Sequence, residues 1–517
     1  MKIDISMPPG GRIEDDTIKP ADEHQHELMA HVHPPAWQHP RALAKYDLVV
    51  LGGGTAGLVC AMGAAGLGAR VALIERHRLG GDCLNTGCVP SKAIIRSARA
   101  VGELNRAATL GVYTSAISVD FAAVMRRMRA RRASIAEHDA AARLERAGVH
   151  VFFGHGRFAD ANSILVDDQR LRFRRAVIAT GGRPVVPAVP GLDQTAFLTS
   201  ETVFDLTARP ERLSIIGSGP VGCELAQAFA RLGSVVTLFG RKTRILPRDD
   251  REASAIVHRH LEFDGVRLEL GATVAGIDHN GAAFVVRHRR DGGGLEAEGT
   301  TTGDTLLVAA GRTPNVEGLD LAAAGIKTTE HGVWVSDRLQ TTNPRVFASG
   351  EVCSAFKFTH AADALSRVAL QNALFYGRRK ASALVIPWVT YTDPEVAHVG
   401  VTGADVDDSN GRLRSISVDL MDVDRAVVDD ETDGFVRVYH DRGRLRGCTI
   451  VARHAGEMIG EAVYAMTHGG TLGDLSATVH PYPTQAEALR KAGDVYRRER
   501  LTLSVRRWLE RYFRWTR

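Results

Sequence analysis

From Tyr46 onward the chain alternates apolar runs with glycine-rich turns. YDLVVLGGGTAGLVCAMGAAGLGARVALIER reads as a buried strand, a glycine turn, a helix of small residues and a second apolar strand ending at Glu75. Such an alternation predicts a βαβ unit with parallel strands. The pattern recurs at 213–241 as LSIIGSGPVGCELAQAFARLGSVVTLFGR. Two such units in one chain predict two dinucleotide sites. Between them, 120–147 is an Arg/Ala-rich helical stretch, and 149–187 reads as short strands ending in VIATGGRPVVP. HRRDGGGLEAEG at 288–299 predicts a hairpin turn. After IPWVTYTDPEVAHVG a third block of mixed strands and helices runs to a basic tail. Residues 1–45 are polar, rich in Pro and His and without a strong period, and are expected to wrap or dangle.

At 517 residues the chain has room for about three domains. The apolar runs are all broken by glycines, so no spanning helix of about 20 apolar residues is predicted. MKIDISMPPGGRIEDD has no apolar signal core, so export is not expected and a cytoplasmic location is. Six cysteines (Cys60, Cys83, Cys88, Cys223, Cys353 and Cys448) are too few for a disulfide scaffold. In a reducing compartment, a disulfide among them is expected to be catalytic. The net charge of +5 is uneven: residues 490–517 carry ten Lys/Arg against three Asp/Glu, which leaves the body at −2. A nucleic-acid partner is therefore not implied.

In the first unit, Gly52, Gly54 and Gly57 stand where the tight turn, the approach of a pyrophosphate and helix–strand packing each exclude a side chain. The helix N-terminus then faces the phosphates. Glu75, 18 residues past Gly57, is placed to accept from ribose hydroxyls. The second unit has Gly217, Gly219 and Gly222 in the same context. Gly240 stands where an acid would end its second strand, and Arg241, Arg244 and Arg248 follow. Small plus basic suits a 2′-phosphate and favours NADPH over NADH; a solvated basic loop is the alternative.

GGDCLNTGCVPSK at 80–92 sets Cys83 and Cys88 just before a helix. Structural zinc calls for four ligands at close spacings, and no second CxxC-type pair exists. A thiolate at a helix start is stabilised by the dipole, and Pro90 suits a first turn. The expectation is that Cys88 caps this helix and Cys83 sits in the loop before it. A low-pKa thiol beside a resolving partner is the layout of a redox dithiol.

This segment resembles the active-site loop of the class I pyridine nucleotide-disulfide oxidoreductases. ATGGRP at 179–184, GSGPVGCELA at 217–226, AAGRTPN at 309–315 and TTNPRVFASGEV at 341–352 agree in order and spacing, over about 46–500. The resemblance implies an α/β fold of two Rossmann-like dinucleotide-binding domains, for FAD and NAD(P)H, with a C-terminal α+β dimerisation domain. The implied division is FAD-binding at 46–187 and 315–385, NAD(P)H-binding at 188–314 and an interface domain at 386–500 that makes a homodimer. It implies Cys83 as the interchange thiol, Cys88 as the flavin-side thiolate, and Lys92 paired with Glu224 near the flavin. Thr180, Gly181 and Glu351 would join Gly52, Gly54, Gly57 and Glu75 at FAD. Gly311 would join Gly217, Gly219, Gly222 and Arg241 at NADP. Glu351 replaces the usual Asp. Asp82 replaces the usual Thr beside the first cysteine and is expected to raise the Cys83 pKa.

The family's disulfide reductases end in H-P-T-x-x-E, whose His shuttles protons. Here the segment is His480-Pro481-Tyr482-Pro483-Thr484-Gln485-Ala486-Glu487, with Tyr482 at the His position and Glu487 at the Glu position. A phenol with a pKa of about 10 is a poor base near neutrality. His480 is two residues away and, in an extended segment, points elsewhere. The mercuric reductases also have Tyr there. A soft cation held by Cys83 and Cys88 as transient substrate needs no proton for a departing thiol. Neither a C-terminal cysteine pair nor an N-terminal CxxC domain is present, and metal binding by His24, His26, His31 and His33 is set against a solvated extension. Three readings follow: a mercuric-reductase-like reductase of a thiol-bound metal ion; a disulfide reductase or dihydrolipoamide dehydrogenase; or a flavin-fold scaffold without turnover. In the tail, Leu501, Val505, Trp508, Tyr512 and Trp515 form an apolar stripe apart from Arg507, Arg511 and Arg514. That stripe suits an anionic membrane surface, or packs on the dimer.

Overall fold

The computed structural model describes residues 19–280, 283–290 and 297–517. They form two compact units. The first holds the described residues up to Thr243 together with Asp264–Leu384, and the second holds Arg244–Phe263 and Val385–Arg517.

In the first unit β1 (Tyr46–Leu51) leads into α2 (Thr55–Gly66) and β2 (Val71–Glu75), preceded by α1 (Glu23–Val32). Then come α3 (Gly81–Asn85), α4 (Cys88–Arg106), α5 (Phe121–Ala136), β3 (Val149–Phe153), β4 (Arg157–Asp160), β5 (Ser163–Val166) and β6 (Gln169–Ile178). The sheet order is β3-β2-β1-β6-β5-β4, and Val346–Ala348 adds parallel to β6. β1 is central, with Leu48 opposite Val71 on one side and Val49 opposite Ala176 on the other. Both faces of β1 are covered, which is why it reads as an unbroken apolar run rather than an alternation. The small residues of α2 bring its backbone close to helix Thr359–Phe375: Cys60 donates to the Ser366 carbonyl, and a Cβ on Gly63 would stand 2.7 Å from Leu370.

The second glycine unit forms a four-stranded parallel sheet in the order Arg267–Leu270, Val235–Gly240, Arg212–Ile216, Thr305–Val308. Beside it, Ala272–Asn280, Ala283–Arg290 and Ala297–Gly303 form an antiparallel sheet. Arg290 pairs with Ala297 across the expected hairpin, and the turn at 291–296 lies outside the described residues. The two Rossmann-like sheets expected from the pattern are thus present.

The second unit is built on a five-stranded antiparallel sheet in the order Pro387–Thr390, Glu395–Gly400, Arg444–Ala452, Phe435–Asp441, Arg414–Asp419. Ala455–Thr467 and Glu487–Glu499 bury Met458, Ile459, Leu489 and Ala492 against it. A last helix, Leu503–Thr516, has no buried residue.

The N-terminal extension wraps rather than dangles from residue 19 on; residues 1–18 lie outside the described residues. Asp22 caps α1, and Leu28, Met29 and Val32 join the core that holds Leu48 and Val149. Two histidines there pack against the sheet: His33 stacks on Phe153 and the His39 ring accepts from the Phe153 amide. Among the described residues no group of three His, Cys, Asp or Glu is arranged for a metal ion.

Candidate active site

The two cysteines open two successive helices. Cys83 is the middle residue of the one-turn helix α3, not a loop residue, and Gly87 rather than Cys88 caps α4, which begins at Cys88 itself. Neither thiol is in a disulfide. The Cys83 thiol donates to the Cys88 sulfur, and the Thr359 hydroxyl stands 3.2 Å from Cys88 Sγ. The pair is strongly asymmetric. Cys88 is held well below the ordinary thiol range, first by the hydrogen bond from Cys83, then by Thr359 and the charge of Lys92, with burial opposing. Cys83 is pushed far up, first by the same hydrogen bond, then by burial and the Cys88 charge. Asp139 adds a smaller upward push on Cys83. Asp82 is taken up elsewhere, by Arg312.

Lys92 lies one turn beyond Cys88 on α4, and its ammonium donates to Glu224 Oε2 at 2.8 Å. The Glu224 side chain is 6% exposed and that of Lys92 35%. Glu224 comes from helix Pro220–Arg231, so the expected pair does meet across two helices far apart in sequence.

A cavity of about 1100 Å³ runs from the first glycine turn to the dithiol, lined among others by Gly52, Glu75, Cys83, Thr180, Gly181 and Glu351. The structure carries no ligand, and the residues fit a dinucleotide. A Cβ on Gly57 would sit 1.8 Å from the Gly52 carbonyl, and one on Gly52, at φ +108°, would sit 2.3 Å from that of Ala179. The second turn repeats both constraints: Gly222 against the Gly217 carbonyl at 1.8 Å and Gly217 against Ala309 at 2.3 Å. Gly219 and Gly311 face open space, as a close approach of phosphate requires. The Glu75 carboxylate accepts from the amides of Gly53 and His77, at 2.6 and 2.7 Å. Gly240 is small for a packing reason: a Cβ there would stand 2.5 Å from Ser218 Oγ and 2.8 Å from Leu270. Arg241 is exposed, whereas Arg244 is committed to the carbonyls of Pro247 and Asp249.

Arg312, within the AAGRTPN stretch but not singled out by its sequence, ties the two unusual acids together. It donates to Asp82, to the Gly182 carbonyl at 2.8 Å and, through Nε, to Glu351 at 2.7 Å. Thr359 and Asp139 carried no motif signal either.

On the second unit, Tyr482 is 71% exposed and its hydroxyl donates to Asp424 at 2.9 Å. That bond, reinforced by the Asp424 charge, raises its pKa further. Glu487 starts a helix and accepts from Arg490. The His480 side chain is 5% exposed, with Nε2 2.9 Å from Glu461 and Nδ1 3.1 Å from the Thr478 carbonyl. Both its nitrogens are occupied within its own unit.

Residues 46–365 match the model of the pyridine nucleotide-disulphide oxidoreductase family, and 386–493 that of its dimerisation domain. A mercuric reductase of Bacillus cereus is 35% identical over 456 residues, 86% of this chain and 71% of that one. A dihydrolipoyl dehydrogenase of Thermus scotoductus is 32% identical over 467 residues, 88% and 98% of the two chains. Among solved structures, the Cu(II) complex of the HOCl-induced flavoprotein disulfide reductase RclA from Escherichia coli covers 86% of this chain and 98% of its own, at a TM-score of 0.73 and 26% identity.

Proposed function

The chain belongs to the pyridine nucleotide-disulphide oxidoreductase family, whose members use FAD and NAD(P)H, and from that premise we propose that it is an NADPH-dependent reductase of a soft metal ion bound by Cys83 and Cys88. Gly52, Gly54, Gly57, Glu75, Thr180, Gly181 and Glu351 would hold FAD. Gly217, Gly219, Gly222, Arg241 and Gly311 would hold NADP, within a domain division at 46–187, 188–314, 315–385 and 386–500. When bound, FAD supplies a two-electron relay between nicotinamide and dithiol. The chain's own part is to keep Cys88 as a thiolate, through Cys83, Thr359 and Lys92, and to present Cys83 beside it. A divalent ion caught between the two sulfurs takes two electrons as they close to a disulfide. The net reaction is NADPH + Hg(II) giving NADP⁺ + H⁺ + Hg(0).

The observation that carries this reading is at the other end of the chain. Tyr482 stands where a disulfide reductase has its proton-shuttling imidazole, its hydroxyl is turned to Asp424, and Glu487 is turned to Arg490. A departing thiol needs a proton from such a group; a thiol-bound metal ion does not. The test is NADPH oxidation by the yellow holoenzyme with Hg(II), Cu(II), glutathione disulfide, lipoamide and quinones in parallel. Turnover with Hg(II) and little with either disulfide is expected. Rapid lipoamide or glutathione disulfide reduction without metal turnover would favour a disulfide reductase, and a colourless protein a scaffold.

We further propose a cytoplasmic homodimer that touches anionic membrane surfaces through its tail. In helix Leu503–Thr516, Val505, Trp508, Leu509, Tyr512, Phe513 and Trp515 share one side, and Arg506, Arg507, Arg511 and Arg514 the other. Trp508 and Trp515 are 63% and 83% exposed. An in-plane helix with aromatic and arginine faces suits the boundary between lipid headgroups and acyl chains.

A further inference from the structure

We propose that α1, which lies ahead of the family-matched segment at 46–365, is a positioning element for the dithiol loop, acting through Gln25 and Arg132. The proposal rests on the reading of Cys83 and Cys88 as the redox pair. The segment that carries Cys83 is pinned at one end by this helix directly and at the other through Arg132 of α5. At its start, the Leu79 amide donates to the carbonyl of Val32, the last residue of α1, at 3.0 Å. At its end, Arg132 Nη1 donates to the carbonyl of Asn85, the last residue of α3, at 2.7 Å. Arg132 is itself oriented from α1: its Nη2 donates to Gln25 Oε1 at 2.6 Å. Asn85 closes the turn from within, donating to the carbonyls of Leu79 and Gly81 at 3.0 and 2.9 Å. Gln25 and Arg132 are 2% exposed and Asn85 5%, so water does not substitute for a missing partner cheaply.

A buried guanidinium with a fixed fork is a stiff spacer. Here it transmits the position of Gln25 to a backbone carbonyl two residues from Cys83. The neighbouring pair, Arg129 with Asp22 at 2.5 Å, anchors the same two helices but touches no loop atom. It therefore serves as an internal control. The dithiol and the disulfide require different sulfur separations. Pinning Leu79 and Asn85 confines that change to the single turn between them, so the relay sets both the reactivity of Cys83 and the balance between the two redox states.

The test uses holoenzyme reduced with dithiothreitol. It measures the rate of Cys83 alkylation by iodoacetamide, mapped by peptide mass, and the dithiol–disulfide balance in glutathione buffers. Gln25→Leu should change the alkylation rate roughly tenfold, as small misplacements of a reacting group do. It should move the redox balance by a similar factor, about 30 mV for a two-electron couple. Gln25→Glu, which keeps an acceptor for Arg132, should restore both. Asp22→Asn keeps the helix cap and loses the Arg129 pair; it should lower the melting temperature and leave Cys83 as in the wild type. Should Gln25→Leu not fold, Gln25→Asn, which keeps the amide and shortens its reach, is measured in its place. Wild-type alkylation and balance in a correctly folded Gln25 variant, or equal shifts in Asp22→Asn, would overturn the proposal. Chemical reduction does not depend on turnover, so a wild type whose dithiol NADPH fails to reduce would count against the catalytic reading separately.

Discussion

Removing either half of the Lys92–Glu224 pair should weaken the fold in both cases and move the Cys88 thiol in opposite directions. Lys92→Met leaves Glu224, 6% exposed, without its ammonium. Stripping one partner from a buried pair costs about 3–5 kcal/mol; Lys92 is already one-third exposed, so the lower end, about 3 kcal/mol, applies. Glu224→Gln leaves an ammonium that can turn to water and an amide that still accepts, so the cost is about 1 kcal/mol. On Cys88 the signs part. Lys92 lowers its pKa and Glu224 raises it, so the titration midpoint should rise in Lys92→Met and fall in Glu224→Gln. Cys88 is depressed in the folded chain. Its thiolate's contribution to stability is therefore complete above the ordinary thiol pKa and lost as pH falls through the depressed value. The assay is pH titration of the thiolate absorbance and of the long-wavelength charge-transfer band in the reduced holoenzyme, with Cys88→Ala as the blank that should lack the band. Urea denaturation gives the stabilities. Two midpoints moving in the same direction, or Glu224→Gln proving the more destabilised, would refute the reasoning.

The other expectations are simpler to state. Arg241→Glu should raise the KM for NADPH by roughly tenfold or more while leaving that for NADH within about threefold, since only the 2′-phosphate meets the new charge; steady-state kinetics with both nucleotides checks it, and equal effects would remove the argument for NADPH. Tyr482→His should raise turnover of a disulfide and lower that of Hg(II), by roughly tenfold each, the low end of what a positioned acid–base group contributes; no gain with any disulfide would mean that the residue at 482 does not set the substrate class. Deleting 501–517 should abolish sedimentation with phosphatidylserine vesicles at low salt and leave dimer and flavin intact; a full-length protein that ignores the vesicles, or a truncated one that loses its dimer, would make the tail structural.

Much of the fold was legible because burial on both sides of a parallel strand leaves a continuous apolar run between glycines. Tyr46–Leu51 and Leu213–Ile216 are such runs, and each is followed by a helix with a glycine where a Cβ would meet a carbonyl oxygen at 1.8 Å. The Lys92–Glu224 contact was legible only through the family likeness, because 131 intervening residues separate the two positions. α1 was missed for a local reason. Its inward stripe is Gln25, Leu28, Met29 and Val32, correctly spaced for a helix but opened by an amide and interleaved with histidines and glutamates. Gln25 faces inward because Arg132 is there to meet it, and no pattern confined to residues 19–33 encodes that. The same holds for Thr359 and Asp139, ordinary residues that act on the dithiol only because chain folding brings them to it.

Asp82 and Glu351 looked like two separate departures from the family's pattern, a carboxylate for a hydroxyl and a longer acid for a shorter one. Geometrically they are one arrangement. A carboxylate at 82 lines the same cavity as the glycine turn that faces phosphate, and burial pushes its pKa up against the pull of Arg312. Without Arg312 it would lose the interaction that most opposes that rise. Arg312 resolves this with one planar fork: Nη2 serves Asp82 and the Gly182 carbonyl, while Nε serves Glu351. The two acids also raise each other's electrostatic cost, since Glu351 pushes the Asp82 pKa up as burial does. The guanidinium between them opposes the rise in the Asp82 pKa. A second cation stands beside the two acids, since Lys357 donates to the Glu351 carbonyl at 2.5 Å. The departures at 82 and 351 are therefore one coupled change, held together by Arg312.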